Sequence, residues 1–432
     1  MKKYLVKKVS SPLHIDVEVP GSKSITNRAL LMAAMGKGES ELRGVLFSDD
    51  SDCFLNSLQE LGFSIQTDKR RRCVRILGQG GTVPKKEASI YVGSAGTASR
   101  FLTAYLAMSD GTYHIDASEQ MKKRPMKELL VALEQLGAKI TYLEETYSFP
   151  MKIEGMGKNK DIAEVELNID RSSQFLSALL MVSPLRFDRL TIHLTGQRSA
   201  RSYVEMTEQM MKQFGHPGVQ QLGENCYQVC KGEYESKVYQ IEPDVSAACY
   251  FYAMAAVTGG SAVVRHMKKD SLQGDMRFID VLCKMGCTIS WTEEGLMLDG
   301  PSGGKLKGFD VSFSDFSDQA LTAAAIAPYA DSPVTIRGIA HTRGQESDRI
   351  AVICKELERM GISCRELEDG VVITPGEVHS ASIQTYNDHR VAMAFAITGL
   401  RTQGIEIENP MCCKKTFPEY FEVLEKLIAN GK

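Results

Sequence analysis

Residues 58–62 read Leu-Gln-Glu-Leu-Gly, and the pattern returns as LEQLG at 133–137, MKQFG at 211–215, LCKMG at 282–286 and LERMG at 357–361. The closing glycines lie 75, 78, 71 and 75 residues apart, and a weaker copy, LIANG, ends at Gly431. In each copy an amphipathic run ends in a large apolar residue followed by Gly, as a helix does when the residue after it needs positive φ. The stretches that follow, such as AKITY at 138–142 and CTISW at 287–291, alternate like strands.

A second series interleaves with the first. A polar or Gly-rich start leads into a helix of small apolar residues at Ser22 (SKSITNRALLMAA), Gly96 (GTASRFLTAYLA), Ser172 (SSQFLSALLMV), Asp244 (DVSAACYFYAMAAV), Asp318 (DQALTAAAIA) and Asp388 (DHRVAMAFAI). Measured from Ser24, these starts are 72, 76, 72, 74 and 70 residues apart. Two independent series with one period predict six copies of an α/β unit, each read as buried helix, strand, surface helix, strand. The sixth copy reaches the chain end at Gly431, so its closing strand is expected from KYLVKKV or HIDVEV at the N-terminus. The first ~20 residues then belong with the C-terminal half. Two lobes of three copies follow, 22–241 and a discontinuous 1–21 plus 242–432. Pseudo-threefold symmetry in each lobe would turn the six buried-helix N-termini, with their unpaired N–H groups, toward a cleft between the lobes, where anions would bind.

Composition narrows the rest. With 51 Lys+Arg against 54 Asp+Glu, 43% hydrophobic residues and 432 residues in all, the chain is no disordered, collagenous or coiled-coil protein. A net charge of −3 argues against a nucleic-acid partner, so any cationic site is local. The N-terminus lacks the apolar core of a signal peptide and no run reaches the ~18 apolar residues of a membrane span. Eleven cysteines without a CxxC pair favour free thiols in a reducing cytoplasm over zinc or disulfides.

The helix starts carry Lys23, Ser24, Arg28, Arg100, Ser172, Ser173, Gln174, Asp318, Asp388, His389 and Arg390. Ser24 and Arg28, four apart, share a helix face, and cations opening an apolar helix need an anion or acid partner. Arg124, Arg349 and Lys415 sit in turn-like contexts; Arg forks suit phosphate and carboxylate, and Lys can serve as charge and acid. Singly these read as surface or ion-paired residues, SSQ as an N-cap, and GSAGTAS as a Gly-rich loop without the Lys-Ser/Thr ending of a Walker loop. Their coincidence at period-related positions is the stronger signal.

PGSKSITNRALLMAA (20–34), GSAGTASRF (93–101), RPM (124–126), SSQFLSALLM (172–181), PDVSAACYF (243–251), QGDMRF (273–278), ESDRI (346–350), YNDHRVAMAFA (386–396) and KTFPEYF (415–421) together resemble the 5-enolpyruvylshikimate-3-phosphate synthase family, in the family's order along nearly the whole chain. The resemblance implies an α/β fold of two lobes, each of three βαβαββ repeats. It also implies a reaction needing neither metal nor organic cofactor. The 5-hydroxyl of shikimate 3-phosphate attacks C2 of phosphoenolpyruvate while C3 is protonated, and the tetrahedral intermediate then loses phosphate.

By the same resemblance Lys23 contacts both substrates and serves proton transfer. Ser24, Arg28, Ser172, Ser173 and Tyr203 hold shikimate 3-phosphate, with Gln174 beside both ligands and Gln345 at a position where the family usually places a Lys. Gly96, Arg124, Arg349, Arg390 and Lys415 hold phosphoenolpyruvate. Asp318 takes the hydroxyl proton and Glu346 serves C3. Glyphosate is expected to compete with phosphoenolpyruvate, and the enzyme is expected to be a cytoplasmic monomer whose lobes close over the substrates.

Some positions depart from the family pattern. Ala200 stands where many members have Ser, His341 where Asn is usual, Ser94 for Asn and Phe101 for Pro. Gln345 brings no charge, and losing a charged contact to phosphate costs about 1.5–3 kcal/mol. The nearest rival, UDP-N-acetylglucosamine enolpyruvyl transferase, usually carries a reactive Cys shortly before the Arg-Pro; here that stretch is ASEQMKKRP (117–125), with no Cys between Cys73 and Cys226. A non-catalytic anion-binding relative would have no need of Lys23, Asp318 and Glu346 together.

Overall fold

The computed structural model describes residues 3–157, 160–196 and 201–430. The chain forms two compact units: a middle unit, Gly21–Ile241, and a terminal unit holding residues up to Pro20 and from Glu242 onward. Asp244 N–H donates to the Pro20 carbonyl at 2.8 Å. A Cβ on Gly21 would lie 1.9 Å from the Gly44 carbonyl oxygen, so only glycine fits the first position of the middle unit.

Each copy is built on a four-stranded sheet in the middle unit. Glu87–Tyr91 runs parallel to Thr112–Asp116, the connection being the buried helix Gly96–Ala107. The surface helix Lys127–Leu136 follows, then the hairpin Lys139–Tyr142 and Met151–Glu154, whose second strand pairs antiparallel with Thr112–Asp116. Two strands, not one, therefore follow each of the first five surface helices, a correction to the four-element reading. Gly62, Gly137, Gly215, Gly286 and Gly361 all have φ between 79° and 110°, so the glycine that ends each surface helix also turns the chain into that hairpin. Gly431 lies outside the described residues.

The strands that open or close the outermost copies come from far along the chain. Val238–Gln240 pairs parallel with Lys37–Arg43 and so opens the first copy of the middle unit. His14–Val17 pairs parallel with Ser261–Arg265 and opens the first copy of the terminal unit. Lys3–Leu5 pairs antiparallel with Ile405–Glu408, itself parallel to Ala381–Ile383, and closes the last copy in a three-stranded sheet. KYLVKKV thus supplies the expected closing strand, while HIDVEV serves a different copy.

The cores sit around the small-residue helices. All twelve residues of Gly96–Ala107 are buried, as are twelve of the fourteen in Val245–Thr258, in keeping with helices that are apolar on every face. In the terminal unit Val245–Thr258, Ala320–Ile326 and His389–Thr398 pack against one another pairwise. The run from Asp318 is not one helix: a 3₁₀ turn, Ser317–Gln319, precedes Ala320–Ile326, and a second, Ala327–Tyr329, follows it. All eleven cysteines are free thiols, and no helix among the described residues is long and apolar enough to cross a membrane.

Candidate active site

In the terminal unit, four polypeptide turns converge on two arginines. Asp388 caps His389–Thr398 by accepting from Arg390 N–H at 3.0 Å, and the preceding Tyr386 and Asn387 hold positive φ to aim it. The same carboxylate, wholly buried, grips Arg349 through Nε at 2.9 Å and Nη2 at 3.3 Å. Arg349 is the first residue of the helix Arg349–Arg359, capped by Asp348, and its guanidinium is also buried. It continues to Asp318 Oδ1 at 2.8 Å, Glu346 Oε2 at 3.2 Å and Gln345 Oε1 at 2.5 Å.

Asp318 sits in the 3₁₀ turn Ser317–Gln319. Its second oxygen meets Arg390 Nη2 at 2.8 Å, so both carboxylate oxygens are clamped by guanidinium groups. Glu346 is held between Arg349 and Lys415, whose Nζ lies 2.8 Å from Oε1. Burial works to lower the Arg349 pKa, but Asp388, Glu346 and Asp318 outweigh it and hold the group above its ordinary range.

The middle unit is built differently. Lys23 opens the helix Lys23–Met35, with its Nζ 3.7 Å from Asp50. Arg28, one turn on and 1% exposed, donates to Thr207 Oγ1 at 2.8 Å, the Ser24 carbonyl at 3.0 Å, Ser177 Oγ at 3.1 Å and the Tyr203 carbonyl at 3.3 Å. Its guanidinium lies 5.3 Å from the Phe101 ring centroid and 6.0 Å from that of Tyr203. Of the anion or acid partners expected for these cations, Lys23 has an acid in Asp50, while among the described residues the Arg28 bonds go to neutral oxygens. Burial pushes Arg28 down to about 10, leaving it charged at neutral pH.

Around the next two helix starts, Arg100 Nη1 donates to Gln174 Oε1 at 2.6 Å and Nη2 to the Pro125 carbonyl at 3.1 Å, while Gln174 Nε2 reaches Thr97 Oγ1 at 3.2 Å. Ser172 Oγ accepts from Gln174 N–H at 3.3 Å, so Ser172 caps this helix and Ser173, also buried, makes no capping bond. Arg124 lies against Gly96: a Cβ there would come within 2.7 Å of Nη1. Gly96 is glycine because a guanidinium occupies the place of its side chain.

A family profile described as EPSP synthase (3-phosphoshikimate 1-carboxyvinyltransferase) matches residues 7–424. The chain belongs to the EPSP synthase family. It is 43% identical over 423 residues to the 3-phosphoshikimate 1-carboxyvinyltransferase of Trichormus variabilis, covering 98% of each chain. It is also 38% identical to the chloroplastic enzyme of Arabidopsis thaliana, covering 96% of this chain and 82% of that one. EPSP synthase from Acinetobacter baumannii superposes with a TM-score of 0.82 at 25% identity, over 99% of this chain and 98% of that chain. The fold is the enolpyruvyl transferase fold. The activity is that of an EPSP synthase, a transferase of the shikimate pathway acting on shikimate 3-phosphate and phosphoenolpyruvate, and the sugar-nucleotide alternative is not favoured.

The structure gathers the residues named from sequence into groups. Asp318, Gln345, Glu346, Arg349, Arg390 and Lys415 form one connected network in the terminal unit. Ser24, Arg28 and Tyr203 form a second group, and Gly96, Arg124, Gln174 and Ser172 a third, both in the middle unit. The departures from the EPSP synthase pattern have local partners. His341 Nε2 lies 2.8 Å from Ser317 Oγ, beside Asp318. Ser94 Oγ lies 2.6 Å from Ser118 Oγ at the helix before Arg124, and Phe101 lies under Arg28. Ala200 lies outside the described residues. Asp388 as a clamp on Arg349, and Asp275, were not assigned roles from sequence, although YNDHR and QGDMRF marked their places. Among the described residues no group of three or more His, Cys, Asp and Glu side chains is placed to hold a metal ion.

Proposed function

We propose that the terminal-unit network binds phosphoenolpyruvate and performs the proton transfers of the enolpyruvyl transfer, while the middle unit binds shikimate 3-phosphate. The observation that carries this reading is Asp318, with each carboxylate oxygen 2.8 Å from a different guanidinium, in one network with the Glu346–Lys415 pair. Arg349, Arg390 and Lys415 are the cations for the donor's carboxylate and phosphate, helped by Arg124 at Gly96. Lys23, Ser24, Ser172, Ser173, Gln174 and Tyr203 provide the polar groups for the acceptor. Arg28 holds Ser24 and Tyr203 in place and supplies a buried positive charge beneath them.

The chemistry follows from competition for charge. A donor anion arriving at Lys415 and Arg349 takes charge stabilisation away from Glu346, which raises that carboxyl's affinity for a proton. Glu346 can then deliver a proton to C3 and later remove one. Asp318, losing part of its hold on Arg349 and Arg390 to the same anion, becomes the stronger base needed for the 5-hydroxyl proton. Lys23, at the start of an apolar helix, neutralises the charge that builds on the departing phosphate. Since acceptor groups and acid/base groups belong to different units, turnover requires both units to engage one pair of substrates, with closure excluding water. The protein works in this reading as a cytoplasmic monomer without metal or organic cofactor.

Phosphate release from phosphoenolpyruvate, measured with shikimate 3-phosphate and in parallel with UDP-N-acetylglucosamine, tests the reading. Release only with shikimate 3-phosphate, inhibited by glyphosate in competition with the donor, is expected. Tight binding of both substrates without release would make the chain an anion-binding relative instead.

A further inference from the structure

The QGDMRF segment places a second carboxylate close behind the first. Asp275 lies in the 3₁₀ turn Gly274–Met276 and is 6% exposed. Its Oδ2 accepts from Gln319 Nε2 at 3.0 Å and from Ser246 Oγ. Gln319 is the neighbour of Asp318 in the chain, and Ser246 Oγ lies 3.4 Å from Arg390 Nη2, the same nitrogen that holds Asp318. Asp275 is therefore joined to Asp318 twice, through the turn that carries it and through the arginine that clamps it. A buried carboxylate needs such partners, yet among the described residues none of the direct ones is a cation.

We propose that Asp275 is a positioning residue for proton transfer, a carboxylate held behind Asp318 whose charge, shared through Arg390, sets how strongly Asp318 draws the proton of the attacking hydroxyl. The inference rests on Asp318 being that base. Asp275 touches no substrate and carries no proton between reactants: the hydroxyl proton goes to Asp318, and the oxygen's electron pair forms the bond to C2.

The surroundings fix the sign. Burial pushes Asp275 up to about 6, the negative charge of Asp318 adds to this, and Arg390, Ser246 and Gln319 oppose it. The helix Val245–Thr258 also presents Cys249, whose thiol burial pushes far up, and Tyr250, whose hydroxyl is 3.5 Å from Arg390 Nη1 and is likewise raised by burial; both are neutral in the working range. Asp244, the cap of that helix, bears on Cys249, and Arg349 on the next element faces Asp318. As pH rises through about 6, Asp275 becomes charged. Its repulsion then makes Asp318 the stronger base, so turnover gains a step there.

The test is the pH profile of kcat. Asp275→Asn keeps an oxygen to accept from both Ser246 and Gln319 and removes only the charge. The expected result is loss of the step near pH 6 and a plateau lowered by about tenfold, the effect of one pKa unit, with KM for both substrates and Tm little changed. Ser246→Ala removes a donor that favours the charged form, so it should move the step to higher pH; this variant keeps the test open if Asp275→Asn folds poorly. An unmoved step in both variants overturns the proposal. Asp318→Asn separates the two ideas: near-normal turnover there would remove the base itself, whereas a dead Asp318→Asn beside an unchanged Asp275→Asn profile would remove only the role of Asp275.

Discussion

The two units contain the same three-copy design and use their helix starts in opposite ways. In the terminal unit the starts bring carboxylates onto cations: Arg349 alone meets Asp318, Glu346 and Asp388. In the middle unit, among the described residues, the buried cation Arg28 donates to hydroxyl and carbonyl oxygens, and the bonds of Arg100 include a side-chain amide and two carbonyls. In the proposed reading the first arrangement stores acid and base groups whose proton affinity changes when an anion arrives. The second surrounds Arg28 with neutral oxygens and sets Lys23 beside Asp50, which in the proposed reading suits a phosphate that binds and leaves unchanged. On that reading, one repeated scaffold is divided between chemistry and binding by where its aspartates and glutamates fall.

The contrast is open to attack at several points. Glu346→Gln should lower kcat by about 10² to 10⁴-fold while leaving both substrates bound, since it removes a proton carrier and keeps the shape. Steady-state rates beside a binding titration would show this, and a variant with near-normal turnover would take Glu346 out of the mechanism. Arg349→Met leaves Asp388 and Asp318 short of a counter-ion in a buried setting, so unfolding experiments should show a loss of about 3–5 kcal/mol.

Arg28→Met is the matching change in the middle unit and should cost less stability, about 1–3 kcal/mol, because only neutral oxygens lose a donor. Its KM for shikimate 3-phosphate should rise by about tenfold or more, and equal stability losses in the two Met variants would erase the contrast. Smallest is Gly96→Ala. The new methyl would press on Arg124 2.7 Å away, at the far end of a flexible side chain, so KM for phosphoenolpyruvate should rise severalfold with little change in Tm. A rise confined to shikimate 3-phosphate would assign Arg124 to the other substrate.

How much of this was legible in the sequence depended on how local each signal was. The closing glycines announced the surface helices because positive φ after a helix is a local demand, met at Gly62 and Gly361 alike. The hairpin after each helix was half visible, since the second strand follows a turn with no fixed length. The strand Val238–Gln240 was not read at all: three residues are too few to show alternation, and their partner lies about 200 positions away in the chain. In the site, Asp318 and Arg390 are legible at helix starts and Arg124 and Arg349 in turn-like contexts, whereas Glu346 is reached only through the family resemblance. Asp275 could not be named, because its meaning comes from Ser246 and Gln319, neither of which is near it in sequence. The sequence reads Arg28 as a cation needing an anion or acid partner, and only the packing shows Thr207 and Ser177 hydroxyls around its guanidinium.

The most direct measurement is calorimetric titration of shikimate 3-phosphate, with no phosphoenolpyruvate present, into the Lys415→Met and Ser24→Ala enzymes. The division of labour predicts an affinity unchanged within about twofold for Lys415→Met and weakened by about fivefold or more for Ser24→Ala, the value of one lost hydrogen bond of about 1 kcal/mol. Weakened binding in Lys415→Met with unchanged binding in Ser24→Ala would place the acceptor on the terminal unit and contradict the account.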